Sequence, residues 1–468
     1  MKRSCLRRPS RRLFLEHLES RAMLAAVASA SGGIIRVVGD NLANDVRVNA
    51  GAVPGQFIVT GVTGAPKTFN NITGITADMK GGNDFFKVGS SGEPAEVLGS
   101  INVQLGPGSD QANIRVNTLG IVTIDGGLQT NGQAQNDSVD VNNSILGGLI
   151  VNLWAGNDDL FISNSAIFSL VANVGFPAQL PGQTDHDAVF TEASAIGTAV
   201  INLANGNNLV DVTSTIFGSL TVIGGNHTDE VYVGTGQQCG IGGQLRDGLV
   251  DLVDDLEPLL HKFAAKVNIG VALNQLDSML GTVAAATGLD LEGLDLSQLW
   301  AQGVDPSDAL DALFAALEEE GLNFCEIGQQ TTVVSNLTIN TLGGNDEVVL
   351  GAAGLLLAIP TPEELLNAAA NADVRILGTA TIDTGAGHDG VDILNVFVGM
   401  ALNVSLGAGN DFLCLLDVTA AIAIFNGGSG FDELLFDFDG EKDDELGYLV
   451  YSATGFEFVG PCFIDEID

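Results

Sequence analysis

The stretch NDSVDVNNSILGGLIVNLWAGNDDLFISNSAIFSLVANV, residues 136–174, says nearly the same thing twice. After Asp137, apolar side chains fall at Val139 and Val141, then Ile145, then Leu149, Val151 and Leu153. After Asp158 they fall at Leu160 and Ile162, then Ile167, then Leu170, Ala172 and Val174. A spacing of two inside short runs, broken by turn residues, marks half-buried strands rather than helix. Each run is too short to stand alone, so neighbouring copies must bury its inward face by stacking.

The pattern recurs along the chain. Aligning the second residue of each turn pair gives Asp84, Asp110, Asp137, Asp158, Asp187, Asn208 and Asp229. After a gap come Asp346, Asp389, Asp411 and Asp432, and a weaker early copy places Asp45 in the same slot. The steps from 137 to 158, 187 to 208, 208 to 229 and 411 to 432 are each 21 residues. A fixed period of this size means stacked supersecondary units. Three short strands per unit, parallel to those of the next, predict an all-β chain with a helical insertion. The expected architecture is a right-handed parallel β-helix (β-solenoid) of about 21 residues per coil, since parallel crossovers are almost always right-handed. In the turns, Gly supplies positive φ while Asn and Asp bond to the backbone around them. Seven residues beyond the aspartate, Ser144, Ser165, Ser194 and Thr215 form a second column with the same structural logic.

Two segments break the β pattern. Residues 240–328 read as amphipathic helices, with Leu249, Leu252, Leu256 and Leu260 as the first apolar stripe. A shorter helix over 361–372 opens on Thr361 as N-cap and Pro362 at the first position. The chain therefore divides into a targeting segment (1–30), a first solenoid part (31–239), a helical insertion (240–328) and a second solenoid part (329–468) carrying the short insertion. Cys239 and Cys325 stand where the large insertion leaves and returns, and a disulfide between them would clip its ends together. Closing a loop of that size contributes roughly 4 kcal/mol in the chain-entropy model. Cys414 and Cys462 offer a second pairing, although Cys414 on an apolar strand suits a packed thiol equally well.

Charge narrows the partners. Seven of the 18 Lys and Arg lie in the first 21 residues, and from Ser31 onward 11 basic residues face 56 acidic ones. A body this acidic repels nucleic acid and anionic lipid, so divalent cations and cationic surfaces, cell-surface or matrix components among them, are the expected partners, with solubility at high ionic strength as the alternative. No apolar run is long enough for a transmembrane segment.

The N-terminus reads as an export address. SRRLFLE, from Ser10, resembles a twin-arginine motif, and Ala28-Ser29-Ala30 offers an A-x-A-like cleavage site. LESRAML, Leu18 to Leu24, resembles a short motif on large extracellular β-repeat proteins of planctomycete bacteria, which implies secretion or display at the cell surface. The turns themselves, as in GAGNDFLCL and GAGHDGVDI, resemble degenerate nonapeptides of RTX (hemolysin-type calcium-binding) proteins. That resemblance implies Ca²⁺ as cofactor and makes Asp84, Asp158, Asp346, Asp389, Asp411 and Asp432 candidate ligands. The alternative is a ladder of turn aspartates without metal.

An enzyme of the β-helix polysaccharide lyase or hydrolase type would need carboxylates and a base gathered on one face. Lys80, Lys87, Arg115 and Arg375 fall at different repeat positions, and His186 and His388 occupy the slot that Asn fills elsewhere. Trp154, in a turn, could stack on a sugar. The sequence thus favours an exported acidic scaffold with a structural or adhesive role over an enzyme.

Overall fold

A computed structural model describes residues 26–90, 94–127, 135–175, 185–234, 331–351, 372–436 and 447–461. Among the described residues every regular element is a β-strand, and thirty strands join one large mixed sheet, with a two-stranded sheet beside it. The segments read as helical lie outside the described residues, apart from Ala372 at the end of the shorter one, and so do Cys239 and Cys325.

Each regular repeat contributes a short strand, such as Ser138–Asn142 or Asp159–Ser163, and a longer one, such as Ile145–Asn152 or Ala166–Asn173. Every strand pairs in parallel with its equivalent one repeat on. Val139 lies opposite Leu160, Leu160 opposite Val189, and Val189 opposite Val210. The second and third runs seen in the sequence are thus fused into one eight-residue strand in these repeats. Further along they separate, as Thr331–Val333 and Leu337–Asn340. The chain turns between the short and long strands on a single left-handed residue, such as Asn143, Asn164, Ala193 or Ser214.

Register explains why the inward positions are so uniform. Val139, Leu160, Val189, Val210, Val231 and Val348 form one continuous row, and each is fully buried. Stacked β-branched side chains fill such a row without gaps, and each buried Val or Leu contributes about 1.5–3 kcal/mol. Parallel strands buried on the inside need no aromatic bulk, and few of the core side chains are aromatic, among them Phe57, Phe86, Phe217 and Phe425.

The stack passes across the long insertion unbroken. Val231 pairs with Val348 and Leu220 with Leu337, although more than a hundred residues separate each pair. The chain leaves the described body after Gly234 and again after Gly351, both at positive φ, and returns at Thr331 and Ala372. Gly234 and Gly351 follow strands that pair with each other, Asp229–Val233 and Glu347–Leu350.

The N-terminal end is built differently. Val27–Ser31 runs antiparallel to Ile34–Val38, and Phe57–Thr60 runs antiparallel to Asp45–Ala50 and to Lys67–Phe69. These strands cover edges that the first parallel strands would otherwise present to solvent. The boundary expected at residue 30 falls inside the first of them, where Ala28 pairs with Val37 and is buried.

Candidate functional site

All six candidate calcium ligands lie in one buried column. Asp84, Asp158, Asp346, Asp389, Asp411 and Asp432 are each no more than 2% exposed, as are Asp110, Asp137, Asp187 and Asp229 between them. The turn folds the aspartate inward because its side chain has a partner there. Oδ1 accepts the backbone N–H of the equivalent residue one repeat earlier. Asp137 N–H donates to Asp158 Oδ1 at 2.7 Å, Asp158 N–H to Asp187 Oδ1 at 3.0 Å, and Asp346 N–H to Asp389 Oδ1 at 2.9 Å. Asp389 and Asp411 continue the chain of bonds to Asp432.

The ladder spans the insertion through Asp229 N–H, which donates to Asp346 Oδ1 at 2.8 Å. It ends where Asp432 N–H donates to Glu457 Oε2 at 2.8 Å. Its first member is Asn44, whose N–H donates to Asp84 Oδ1, and Asp45 is exposed and paired with Arg47. The slot expected at Asp45 is therefore shifted by one residue, because Asp45 already belongs to the strand that pairs with Phe85. At Asn208 the amide takes both roles, accepting from Asp187 N–H and donating through Nδ2 to Asp229 Oδ1 at 2.9 Å.

The second carboxylate oxygen is what distinguishes this column. Oδ2 of Asp84, Asp110, Asp158, Asp187, Asp346, Asp389, Asp411 and Asp432 is buried without a hydrogen-bond partner. Burial raises Asp158 to about 9, Asp137 and Asp187 to about 8, and Asp110 and Asp229 to about 7. It raises Asp84, Asp389 and Asp411 to about 6. The backbone N–H groups that each accepts pull the other way, and neighbouring aspartates add to the rise. At neutral pH the middle of the ladder thus holds its protons, so the stack is not a row of repelling anions.

The candidate ligands are strung in a line rather than gathered around a point. Asp389, Asp411 and Asp432 occupy consecutive repeats, while Asp84 and Asp158 are separated by Asp110 and Asp137. Among the described residues no group of three or more His, Cys, Asp or Glu is arranged to hold a metal ion.

Two further ladders flank this one. Ser144 N–H donates to Ser165 Oγ and Ser165 N–H to Ser194 Oγ, both at 3.2 Å, while each hydroxyl donates to a nearby carbonyl. This is the second column expected from the sequence. On the outer side of the turns, Asn157 N–H donates to Asn136 Oδ1 and His186 N–H to Asn157 Oδ1. Farther along, His388 N–H donates to Asn345 Oδ1, and Asn410 N–H donates to His388 Nδ1 at 2.9 Å. His388 therefore carries its proton on Nε2 and serves as a turn residue in the Asn slot.

The bases do not converge. Arg115 bonds to Asn142 and Ser90 beside the short strands, Lys80 pairs with Asp78 at a turn, and Arg375 is half-buried on another strand. Trp154 Nε1 donates to Asp125 Oδ1 at 2.7 Å, which fixes the ring against the preceding repeat. Positive φ in the turns is not confined to glycine: Lys80, Trp154, Ala204 and Leu342 hold it four residues before their repeat Asp or Asn. Cys414 is buried and disulfide-bonded rather than a free packed thiol. Among the described residues no helix is long and apolar enough to cross a membrane. Compared with known proteins, the chain matches no family model, no curated protein and no solved structure.

Proposed function

We propose that this chain is an exported, acidic scaffold protein with a structural or adhesive role at the cell surface or in the extracellular matrix. In this reading the repeats wind as a right-handed parallel β-helix. The observation that carries the proposal is the buried ladder from Asn44 to Asp432, which devotes the repeated polar residue of the chain to holding repeats together. The disulfide at Cys414 suits an oxidising compartment, in keeping with export.

Calcium remains part of the proposal at the C-terminal end. There the candidate ligands Asp389, Asp411 and Asp432 occupy consecutive repeats. The deciding experiment is thermal melting of the full chain by circular dichroism with Ca²⁺ and with chelator. A calcium-dependent scaffold loses β signal or melting temperature on chelation, and a passive scaffold is unchanged. Release of reducing ends from a panel of acidic polysaccharides would overturn the scaffold reading in favour of a lyase or hydrolase.

A further inference from the structure

The outer faces of the two kinds of strand differ sharply in charge. The short strands carry Asp140, Asp159, Glu192, Asp211, Glu230 and Glu347 on their outward side. On the longer strands one outward row runs Thr123, Ile150, Val171, Val200, Thr221 and Thr338, each opposite the next. It continues through Thr381 and Asn403 to Ile424 without a charged residue. The row beside it includes Ile121, Ser169, Thr198 and Ser219. The apolar members are open to solvent: Ile121 is 47% exposed, Val171 36%, Val200 38% and Ile424 48%.

This is an unusual surface for a chain of formal net charge −40. Charge of that size keeps copies apart wherever acidic faces meet. Contact centred on these two uncharged rows brings no like charges together at its middle, and their Val, Ile and Thr side chains resemble the inner face of a packed sheet. We infer that the outward face of the long strands, centred on Val171 and Val200, is a docking surface for the same face of a second copy of this chain. Sheets packed face to face sit about 10 Å apart, with side chains of the two faces interleaved.

The area is sufficient. From Thr123 to Ile424 the row runs about 40 Å at the usual strand spacing, and three outward rows make it about 20 Å wide. Each copy would bury about 800 Å², which is what a stable, specific interface takes from each partner. Depletion of charge at the centre, with polar Asn, Asp125 and Asp383 in the row toward the turns, matches the layout of a core and rim.

The test is sedimentation equilibrium of the full chain across a wide concentration range, at low and at high salt. The expected result is a reversible dimer that strengthens as salt screens the overall repulsion. The paired substitution Val171→Lys with Val200→Lys should raise the dissociation constant by about a hundredfold or more, since each symmetric contact would bury like charges. Ser138→Lys, on the acidic face, should leave it unchanged or tighten it slightly. Should the paired variant fail to fold, the salt response of the wild type stands alone as the test. A wild type that stays monomeric at high concentration and high salt overturns the inference. So does a dimer that dissolves as salt is added, because its contacts would be ionic and elsewhere. A monomer that co-sediments with an insoluble neutral glucan, and loses this with the lysine pair, also overturns it and gives the face to a polysaccharide.

Discussion

Asn157 and Asp158 are adjacent residues in one turn, and each ties its repeat to a neighbour through a side-chain oxygen and a backbone N–H. The two ladders run in opposite directions. Asn157 reaches forward to His186, whereas Asp158 reaches back to Asp137. The hydrogen bonds are alike in kind, but the outer one is exposed and the inner one has no access to water. A bond that water can replace adds little, while a buried N–H left without its acceptor costs the full desolvation penalty. Location therefore decides what each ladder is worth.

The widest test of that difference is pH, because it acts on the whole inner ladder at once. The folded values are raised above the ordinary Asp value, so the folded chain holds protons that the unfolded chain releases. The resulting stabilisation is complete below about pH 4, declines above it, and is gone once pH passes the folded values. Those are about 6 at Asp84 and about 9 at Asp158. Melting temperature should fall steadily across this window. A flat or rising profile would mean that the ladder folds ionised.

Single substitutions sharpen the contrast. At Gly156, between the two ladders and the preceding repeat, a Cβ would overlap the Gln135 carbonyl oxygen. Gly156→Ala should cost about 1–3 kcal/mol or somewhat more in denaturant unfolding, the range for overpacking. Asp158→Ala leaves Asp137 N–H buried and unmatched and should cost about 1–3 kcal/mol. Asp158→Asn keeps an acceptor, as Asn208 does in its own repeat, and should cost less while reducing the slope of stability against pH. Ala204→Gly, at a left-handed residue, should stabilise by about 1 kcal/mol. Asn157→Ala, on the exposed ladder, should change stability by no more than about 0.5 kcal/mol. If the Asn157 and Asp158 alanine variants lose equal stability, burial is not what separates the two ladders.

Much of this was legible in the sequence because period and burial are coupled. Alternation after Asp137 and Asp158 identified the inward residues, and the 21-residue step identified which of them stack. The Ser144 to Thr215 column could be read the same way. What could not be read was the side to which an aspartate turns. Asp45 and Asn44 differ by one position, and only the pairing of Asp45 with Phe85 shows that Asn44 is the inward one. The protonation of the ladder was equally hidden, since a motif counts carboxylates and takes no account of their solvent. The left-handed Trp154 and Leu342 gave no compositional signal either, because neither residue type favours that conformation.

The corner after the short strand has a consequence for what the molecule can carry. At Gly234 and Gly351 the N–H is already bonded to the preceding repeat before the chain departs, so the stack is closed beneath the exit. Whatever lies between Gly234 and Thr331 is thus anchored at both ends, one strand spacing from whatever lies between Gly351 and Ala372. The two exits thus share a mounting point, on strands that pair directly with each other. The same corner in the other repeats, now closed by Asn143, Asn164 or Ser214, is a natural place to graft foreign sequence and array it at regular intervals.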